Sequence, residues 1–421
     1  MDGVDARETQ PPEIQGLAKT CALPHAAQVG VGEDEAGESE EQVDPEPPDV
    51  EDVRQDGNVQ EADAVERALQ VVEEHPCGCD ESDSGQLPNE HVHVGIVSRN
   101  YSCHVTNPRL LDDLLLSRAA IERAAHLRAD GDWQRSRTAD PRSLVVWVEG
   151  SATAVASGAG APALHLTPVT ELDDPSGLSF LGVGLDDRAY FAAHPVGREH
   201  VALPSDIEWS SLRTIGGGLS DLDAGLTVTA VALDNWRART RWCSACGSAL
   251  VIRNAGWSLG CEADGIEHFP RTDPAVIVLV RDEDDRALLG RHVNWPVGRM
   301  STFAGFIEAG ESAEAAVRRE LTEETGVVIG PEPDDVEYLG SQPWPFPCSL
   351  MLGYHAWAAQ TEIKVDGEEI AEAHWYSRAE LLAACESGEV TLPSPVSISR
   401  KLIERWYNAE RKHGEALPGE W

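Results

Sequence analysis

Residues 305–327 read GFIEAGESAEAAVRRELTEETGV, and the spacing of their acidic side chains decides the fold. Glu320, Glu323 and Glu324 stand at i, i+3 and i+4, so a helix carries all three carboxylates on one side. Like charges that close repel, and the obvious neutraliser is a divalent cation with oxygen ligands, Mg²⁺ or Mn²⁺. The flanks describe a loop, a helix and a loop. Gly305 and Gly310 permit a bent approach, Ser312 can cap the helix and Gly326 can end it. Ala313, Val317 and Leu321, four apart, predict a buried stripe separate from the acidic edge. A solvated helix laced with Arg–Glu pairs would account for a bare Glu-Glu pair. It does not account for Gly305, Glu311, Arg319-Glu320, Leu321, Glu323-Glu324 and Gly326-Val327 all in step.

That series resembles the Nudix box, GX5EX7REUXEEXGU with U aliphatic, and fills each of its fixed positions. The resemblance implies an α/β/α sandwich around a mixed sheet.

The chain has 421 residues, enough for two or three domains, and a net charge of −40 that is unevenly spread. Residues 1–90 hold about 25 acidic against about 4 basic side chains, with abundant Pro, Gly and Ser and no sustained apolar period. Such a segment cannot bury enough surface to offset its ordering entropy, so it is expected to be a disordered acidic tail, with at most a short helix near 62–72. No basic then apolar leader opens the sequence and no long apolar run follows, so no membrane is expected. Nine cysteines, an odd number with three in metal-like spacing, point to a reducing cytoplasm. Cys77 and Cys79, beside His75, read as free thiols in the tail.

From about residue 91 the composition changes. VHVGIV (92–97), SLVVWVEG (143–150) and LSFLGVGL (178–185) read as strands. LLDDLLLSRAAIERAAHLRAD (110–130) and residues 226–236 read as helices. AVIVLV (275–280) and RALLGR (286–291) form a strand pair across the turn DEDD. Strand 349–357 and a helix over 398–410 close the domain. The expected class is α+β. A disordered tail (1–90) precedes an N-terminal Nudix-like domain (91–238) and a ribbon-like segment (239–272). A catalytic Nudix domain (273–412) and a C-terminal tail (413–421) follow.

Cys243-x2-Cys246 followed by Cys261 makes three-quarters of a zinc ribbon. The fourth ligand is Asp264, which keeps the x2 spacing, or His268 if the second knuckle is longer. Carboxylate oxygen is the poorer partner for zinc among thiolates, and a metal-free ribbon held by packing is the alternative.

SQPWPFPCS (341–349) follows the box. Three prolines stiffen it, while Trp344 and Phe346 offer flat faces suited to stacking on a base or a nicotinamide ring. The string SQPWPFP, after a ribbon that runs into a Nudix box, is similar to the signature of the NADH pyrophosphatase family of Nudix hydrolases. That resemblance runs from about residue 178 to 404, and more loosely from 91.

It implies metal-dependent hydrolysis of the pyrophosphate of NAD(H) to NMN(H) and AMP, a homodimer, and action on the NAD cap of RNA. It implies Ala304 (through its carbonyl), Glu320, Glu324 and Glu369 as Mg²⁺ or Mn²⁺ ligands, with Glu372 nearby. Glu323 is a ligand or general base, and Glu311 and Arg319 organise the helix. Phe306 and Trp344 sandwich the nicotinamide. Arg213, Phe269, Ser399 and the loop Gln342, Pro343, Trp344, Pro345, Phe346, Pro347, Cys348 and Ser349 match substrate-contacting positions. The sequence departs from the family at Asp264, where a cysteine is usual, and at Gly256, where some relatives use a glutamate. A Nudix diphosphatase preferring ADP-ribose, FAD or another nucleoside diphosphate derivative is the competing enzyme reading. A non-catalytic nucleotide-binding module is disfavoured because no box carboxylate is missing.

Overall fold

The computed structural model describes residues 111–419, apart from 112, 157, 159, 195–202 and 410–416. The tail over 1–90, the strand expected at 92–97, the helix expected near 62–72 and most of the C-terminal tail lie outside the described residues.

An N-terminal sheet of six strands comprises β1 (Leu144–Glu149), β2 (Ala152–Ala156), β3 (Leu166–Pro168), β4 (Ser179–Val183), β5 (Ala189–Ala193) and β6 (Ile207–Ser211). Its order is β4-β5-β1-β2-β6, with β3 beside β1, and β1 and β5 run parallel. Helix α1 (Gly131–Thr138) precedes β1, its N-terminus capped by Asp130 accepting from Trp133 N. Helix α2 (Asp221–Arg239) follows β6, is capped by Ser220, and packs against β1 and β4. A ribbon of three antiparallel strands comes next: β7 (Leu250–Arg253), β8 (Ser258–Cys261) and β9 (Glu267–His268).

The third sheet has seven strands: β10 (Asp273–Arg281), β11 (Ala287–His292), β12 (Phe303–Phe306), β13 (Val328–Ile329), β14 (Val336–Trp344), β15 (Ser349–Gln360) and β16 (Ile370–Tyr376). Central β10 runs parallel to β15 and antiparallel to β11 and β12. Its alternation divides the domain into layers. Val276, Val278 and Val280 join the core beneath helix α3 (Ala313–Thr325), with Val317 and Leu321. Ile277 and Leu279 face the opposite way, into a core with Leu402, Ile403 and Trp406 of helix α5 (Ile398–Asn408). Helix α4 (Arg378–Ser387) adds Leu381 to that second core. The sheet is thus sandwiched between helices, as the box resemblance implied. Each of these fully buried aliphatic side chains contributes roughly 1.5–3 kcal/mol.

The helix expected over 110–130 does not form among the described residues; only a 3-10 turn at Ala125–Leu127 does. Its apolar residues serve two cores instead of one face. Leu114 and Leu111 pack in the α5 core, Leu116, Leu115 and Ile121 in the α2 core. The backbone bonds outward too, Leu111 N to Leu339 O and Glu122 to Val183. A strap that bridges two hydrophobic clusters has helical spacing by composition but no single surface to lie on.

A buried polar chain ties the N-terminal sheet to α2. Ser179 Oγ lies 3.0 Å from His194 Nε2, and His194 Nδ1 lies 2.9 Å from Asp234 Oδ1. Arg237 donates to Ser179 Oγ, and Gly150 N donates to the other oxygen of Asp234. Burial lowers the His194 pKa, so the ring is neutral and accepts from the serine.

Candidate active site

Helix α3 begins where Ser312 Oγ accepts from Ala315 N and ends at Gly326, whose φ of 70° is the left-handed conformation favoured by glycine. Val317 and Leu321 are buried as expected, while Ala313 is half-buried and Ala316 takes the place next to them. The acidic edge turns toward β12. A side chain on Gly305 would overlap the Glu320 carboxyl, so the glycine is what lets that carboxylate reach the strand. Ala304 precedes it, opposite Ile277 of β10.

Arg319 organises the edge. Its guanidinium donates to both oxygens of Glu311 at 2.8 Å, to Glu320 at 2.8 Å, to Glu323 at 3.2 Å and to the Phe306 carbonyl at 2.9 Å. Glu311 also accepts from Glu308 N, and the arginine holds its carboxyl down to about 2. These bonds tie the loop at Phe306–Glu311 to the helix.

Glu324 behaves oppositely. It is 5% exposed, its Oε2 has no hydrogen-bond partner, and burial pushes its pKa up to about 8. The charges of Glu320, Glu369, Asp366 and Glu323 push in the same direction. Burial also raises Glu320, against the pull of Arg319. Glu369 sits in the turn before β16, its N–H bonded to Asp366, and its carbonyl accepts from Val293 N. The sequence missed Asp366; its place in the turn DGEE, two residues before two glutamates, was the available signal. Glu372 is turned away into an ion pair with Arg291 on the neighbouring strand, which lowers its pKa. The residues fit a hard divalent cation: a partnerless buried carboxylate oxygen, a raised carboxyl pKa and a glycine cradle, all among hard donors.

The signature loop closes the β14–β15 hairpin, with Trp344 opposite Ser349. Pro345 is buried and its carbonyl accepts from Asn235 of α2 at 2.7 Å, so the loop is anchored to the N-terminal domain. Trp344 and Phe346 meet edge to face, centroids 5.0 Å apart. Arg213 caps both, its guanidinium carbon 4.2 Å from the Phe346 ring and 4.9 Å from Trp344. Arg213 and Trp344 line a cavity of about 740 Å³ together with Leu115, Pro393, Pro395 and Ser397. Phe306 and Phe269 are 58% and 64% exposed, open to a ligand or a second chain. Pro347 is exposed, and Pro343, Cys348 and Ser349 line a smaller cavity.

Two candidate residues face inward. Gln342 is fully buried and donates to Val396 O; Ser399 is 2% exposed and bonds Ser301 and Thr302. In this arrangement they brace the loop and β12. Gly256 is likewise buried, with φ of 86°, and any side chain there would strike Ser179. The glutamate found in some relatives has no room at that backbone position.

In the ribbon, Cys243, Cys246, Cys261 and Asp264 bring one ligand atom each within 4.8 Å of one another, the one such group among the described residues. Cys243 Sγ lies 3.1 Å from Asp264 Oδ2 and Cys246 Sγ 3.4 Å from Cys261 Sγ. His268 is not in the group. The two knuckles match: Gly247 N bonds Cys243 O, Gly265 N bonds Cys261 O, and both glycines have positive φ. CSACG and CEADG are thus the same turn, with Asp264 in the fourth place. Three thiols and a carboxylate in this arrangement fit a structural zinc ion.

Residues 238–269 match the NADH pyrophosphatase zinc ribbon domain, and residues 271–392 match the NUDIX domain. The NAD-capped RNA hydrolase NudC of Mycobacterium bovis is 38% identical over 309 residues, covering 70% of this chain and 95% of that protein. NudC of Mycobacterium tuberculosis matches with the same identity and coverage. The NAD-capped RNA hydrolase NUDT12 of Homo sapiens is 38% identical over 200 residues, 45% of this chain and 42% of its own length. The chain belongs to the NADH pyrophosphatase family of Nudix hydrolases.

Proposed function

We propose that this chain hydrolyses the pyrophosphate of NAD(H) to NMN(H) and AMP and cleaves the same bond in the NAD cap of RNA. The observation that carries the reading is Glu324: a buried carboxylate with a partnerless oxygen, set among four other carboxyl groups. Glu320, Glu324, Glu369 and the Ala304 carbonyl would hold Mg²⁺ or Mn²⁺, which would supply charge shielding for the phosphates and a more acidic water. Glu323, the most exposed of the box carboxylates and tied only at the edge of the Arg319 fork, would serve as a further ligand or as general base. Arg319 and Glu311 keep the loop and helix in fixed register, which is where phosphoryl transfer gains most of its rate.

Trp344, with Phe306, receives the nicotinamide ring. Arg213, exposed and with no carboxylate partner among the described residues, faces the same cavity and suits a phosphate. A cytoplasmic homodimer is the expected form. Exposed Trp242, Ile266 and Phe269 on the ribbon and Phe306 by the box are the side chains such an interface would cover. No helix among the described residues is long and apolar enough to cross a membrane.

Product analysis after incubation with NADH and Mn²⁺ tests the reading: NMNH and AMP in equal amounts are expected. Faster kcat/KM on ADP-ribose than on NADH would overturn it in favour of the other Nudix diphosphatases.

A further inference from the structure

Arg123 and Arg128 address the same indole. Their guanidinium carbons lie 5.9 and 3.6 Å from the centroid of the Trp257 ring. Two cations on one ring repel each other; burial, helped by Arg123, lowers the Arg128 pKa. In a chain with 73 acidic and 33 basic residues, neither forms an ion pair with a carboxylate among the described residues. Arg128 Nε is buried without a hydrogen-bond partner. Neighbouring arginines are satisfied: Arg253 pairs with Glu262, Arg271 with Asp273 and Arg135 with Asp132.

Two cavities meet at this stack. One, of about 250 Å³, is lined by Arg123, Trp257 and Arg271 and by Pro343, Pro345 and Cys348 of the signature loop. The other, of about 810 Å³, is an open cleft between α1 and the ribbon, lined by Arg128, Arg135, Arg253 and Asn254, with Asp174 the one acid on its wall.

We infer that the Arg123–Trp257–Arg128 stack binds phosphodiester groups of single-stranded RNA, leading the strand from the signature loop into the arginine-lined cleft. A guanidinium fork matches a phosphate geometrically and is the usual partner when no carboxylate is present. Aromatic and cationic side chains in alternation are how single strands are tracked without reading sequence. Two cavities in series, extending beyond the reach of one phosphate, suit a polymer better than a free nucleotide. The strongly acidic chain makes a local cluster of this kind necessary for any RNA to approach. This inference rests on the reading of capped RNA as substrate and locates the part of that substrate beyond the cap.

The test uses the full chain and an uncapped, fluorescently labelled RNA 12-mer followed by anisotropy, with NADH hydrolysis measured alongside. Arg123→Gln with Arg128→Gln is expected to weaken RNA binding at least about 10-fold and to flatten the log–log salt slope by about 1.4, two single-strand phosphates' worth. NADH turnover stays within about twofold of the parent. Unchanged RNA binding, or equal losses in both assays, overturns the inference. If that variant does not fold, Arg123→Gln alone, at the exposed side of the stack, is expected to weaken RNA binding about threefold, and no change there overturns it as well. AMP or inorganic phosphate competing as tightly as the 12-mer would mark a mononucleotide pocket and exclude the strand. Absent NADH hydrolysis by the unaltered protein would instead strike the proposed activity and leave the RNA measurement standing.

Discussion

Replacing Glu324 by glutamine should abolish turnover and at the same time make the metal-free protein more stable. The carboxyl is 5% exposed, and its pKa stands at about 8 against an ordinary 4.5. Folding therefore moves the group from a state ionised at neutral pH to one that must be protonated. The sign follows: an acid with a raised folded pKa carries no penalty below about pH 4.5, and stability is lost as pH rises toward 8. Each pKa unit is about 1.36 kcal/mol, so the penalty is about 3 kcal/mol at pH 7 and levels off near 5 kcal/mol above pH 8. Glutamine keeps the shape and removes the charge. Metal-free Glu324→Gln should then melt about 6 °C or more above the parent at pH 7, at 2–4 °C per kcal/mol for a chain of this size. The gap should close toward pH 4.5 and widen toward pH 8.

Thermal unfolding of both proteins after removal of Mg²⁺ and Mn²⁺, at pH 5, 7 and 8, is the assay. Zinc in the ribbon is common to both and cancels. Adding back Mn²⁺ at about 100 times its dissociation constant should raise the parent by about 2.7 kcal/mol and the variant by far less. Turnover of the variant should be at least about 100-fold down. Equal melting points at pH 7 and 8, or a variant less stable than its parent, would refute the claim that this carboxylate is held for a cation at a cost to the fold.

Gly305→Ala should cost at least about 100-fold in turnover with the fold retained, because its methyl group displaces the Glu320 carboxyl; near-parental kcat would remove Glu320 from the site. Trp344→Ala should raise the KM for NADH about 10-fold or more, and raise it much less for a diphosphate lacking nicotinamide. Equal changes on both would sink the stacking proposal and leave Trp344 as packing for the α2 core. Asp264→Cys should tighten zinc binding at least about 10-fold in competition with a chromogenic chelator, since a thiolate replaces a carboxylate in a soft ligand set. Weaker or unchanged binding would show that the aspartate is not a ligand.

What could be read from the sequence followed physical periodicity. Helix α3 was legible because caps, buried stripe and acidic edge all recur at helical intervals between Ser312 and Gly326. β10 and β11 were legible because an apolar run, a turn and a second run admit only one pairing. The strap at 111–130 was not, because its leucines are shared between two cores, and one-dimensional spacing cannot say how many surfaces a segment touches. Charge spacing singles out the box residues in the sequence, but Asp366, and the reason Gly256 carries no side chain, needed three-dimensional neighbours. Gln342 and Ser399 match substrate-contacting positions through the family resemblance, which carries no information on burial; here they are buried and bond Val396, Ser301 and Thr302.

Two acid-bearing clusters among the described residues show why atoms alone do not make a site. Ser179, His194 and Asp234 stand at 3.0 and 2.9 Å in the order of a hydrolytic triad. Yet the serine has no exposed surface, Arg237 already donates to its oxygen, and Gly256 leaves space for nothing beside it. Every polar atom in that chain is answered from within, so it stabilises the junction of sheet, helix and ribbon. At α3 the opposite holds: Arg319 answers Glu311, Glu320 and Glu323, but one oxygen of buried Glu324 is left without a partner, and the fold bears the penalty. A buried carboxyl without a partner invites a ligand, and by that criterion the box glutamates, not the triad, are the site we propose for this chain's chemistry.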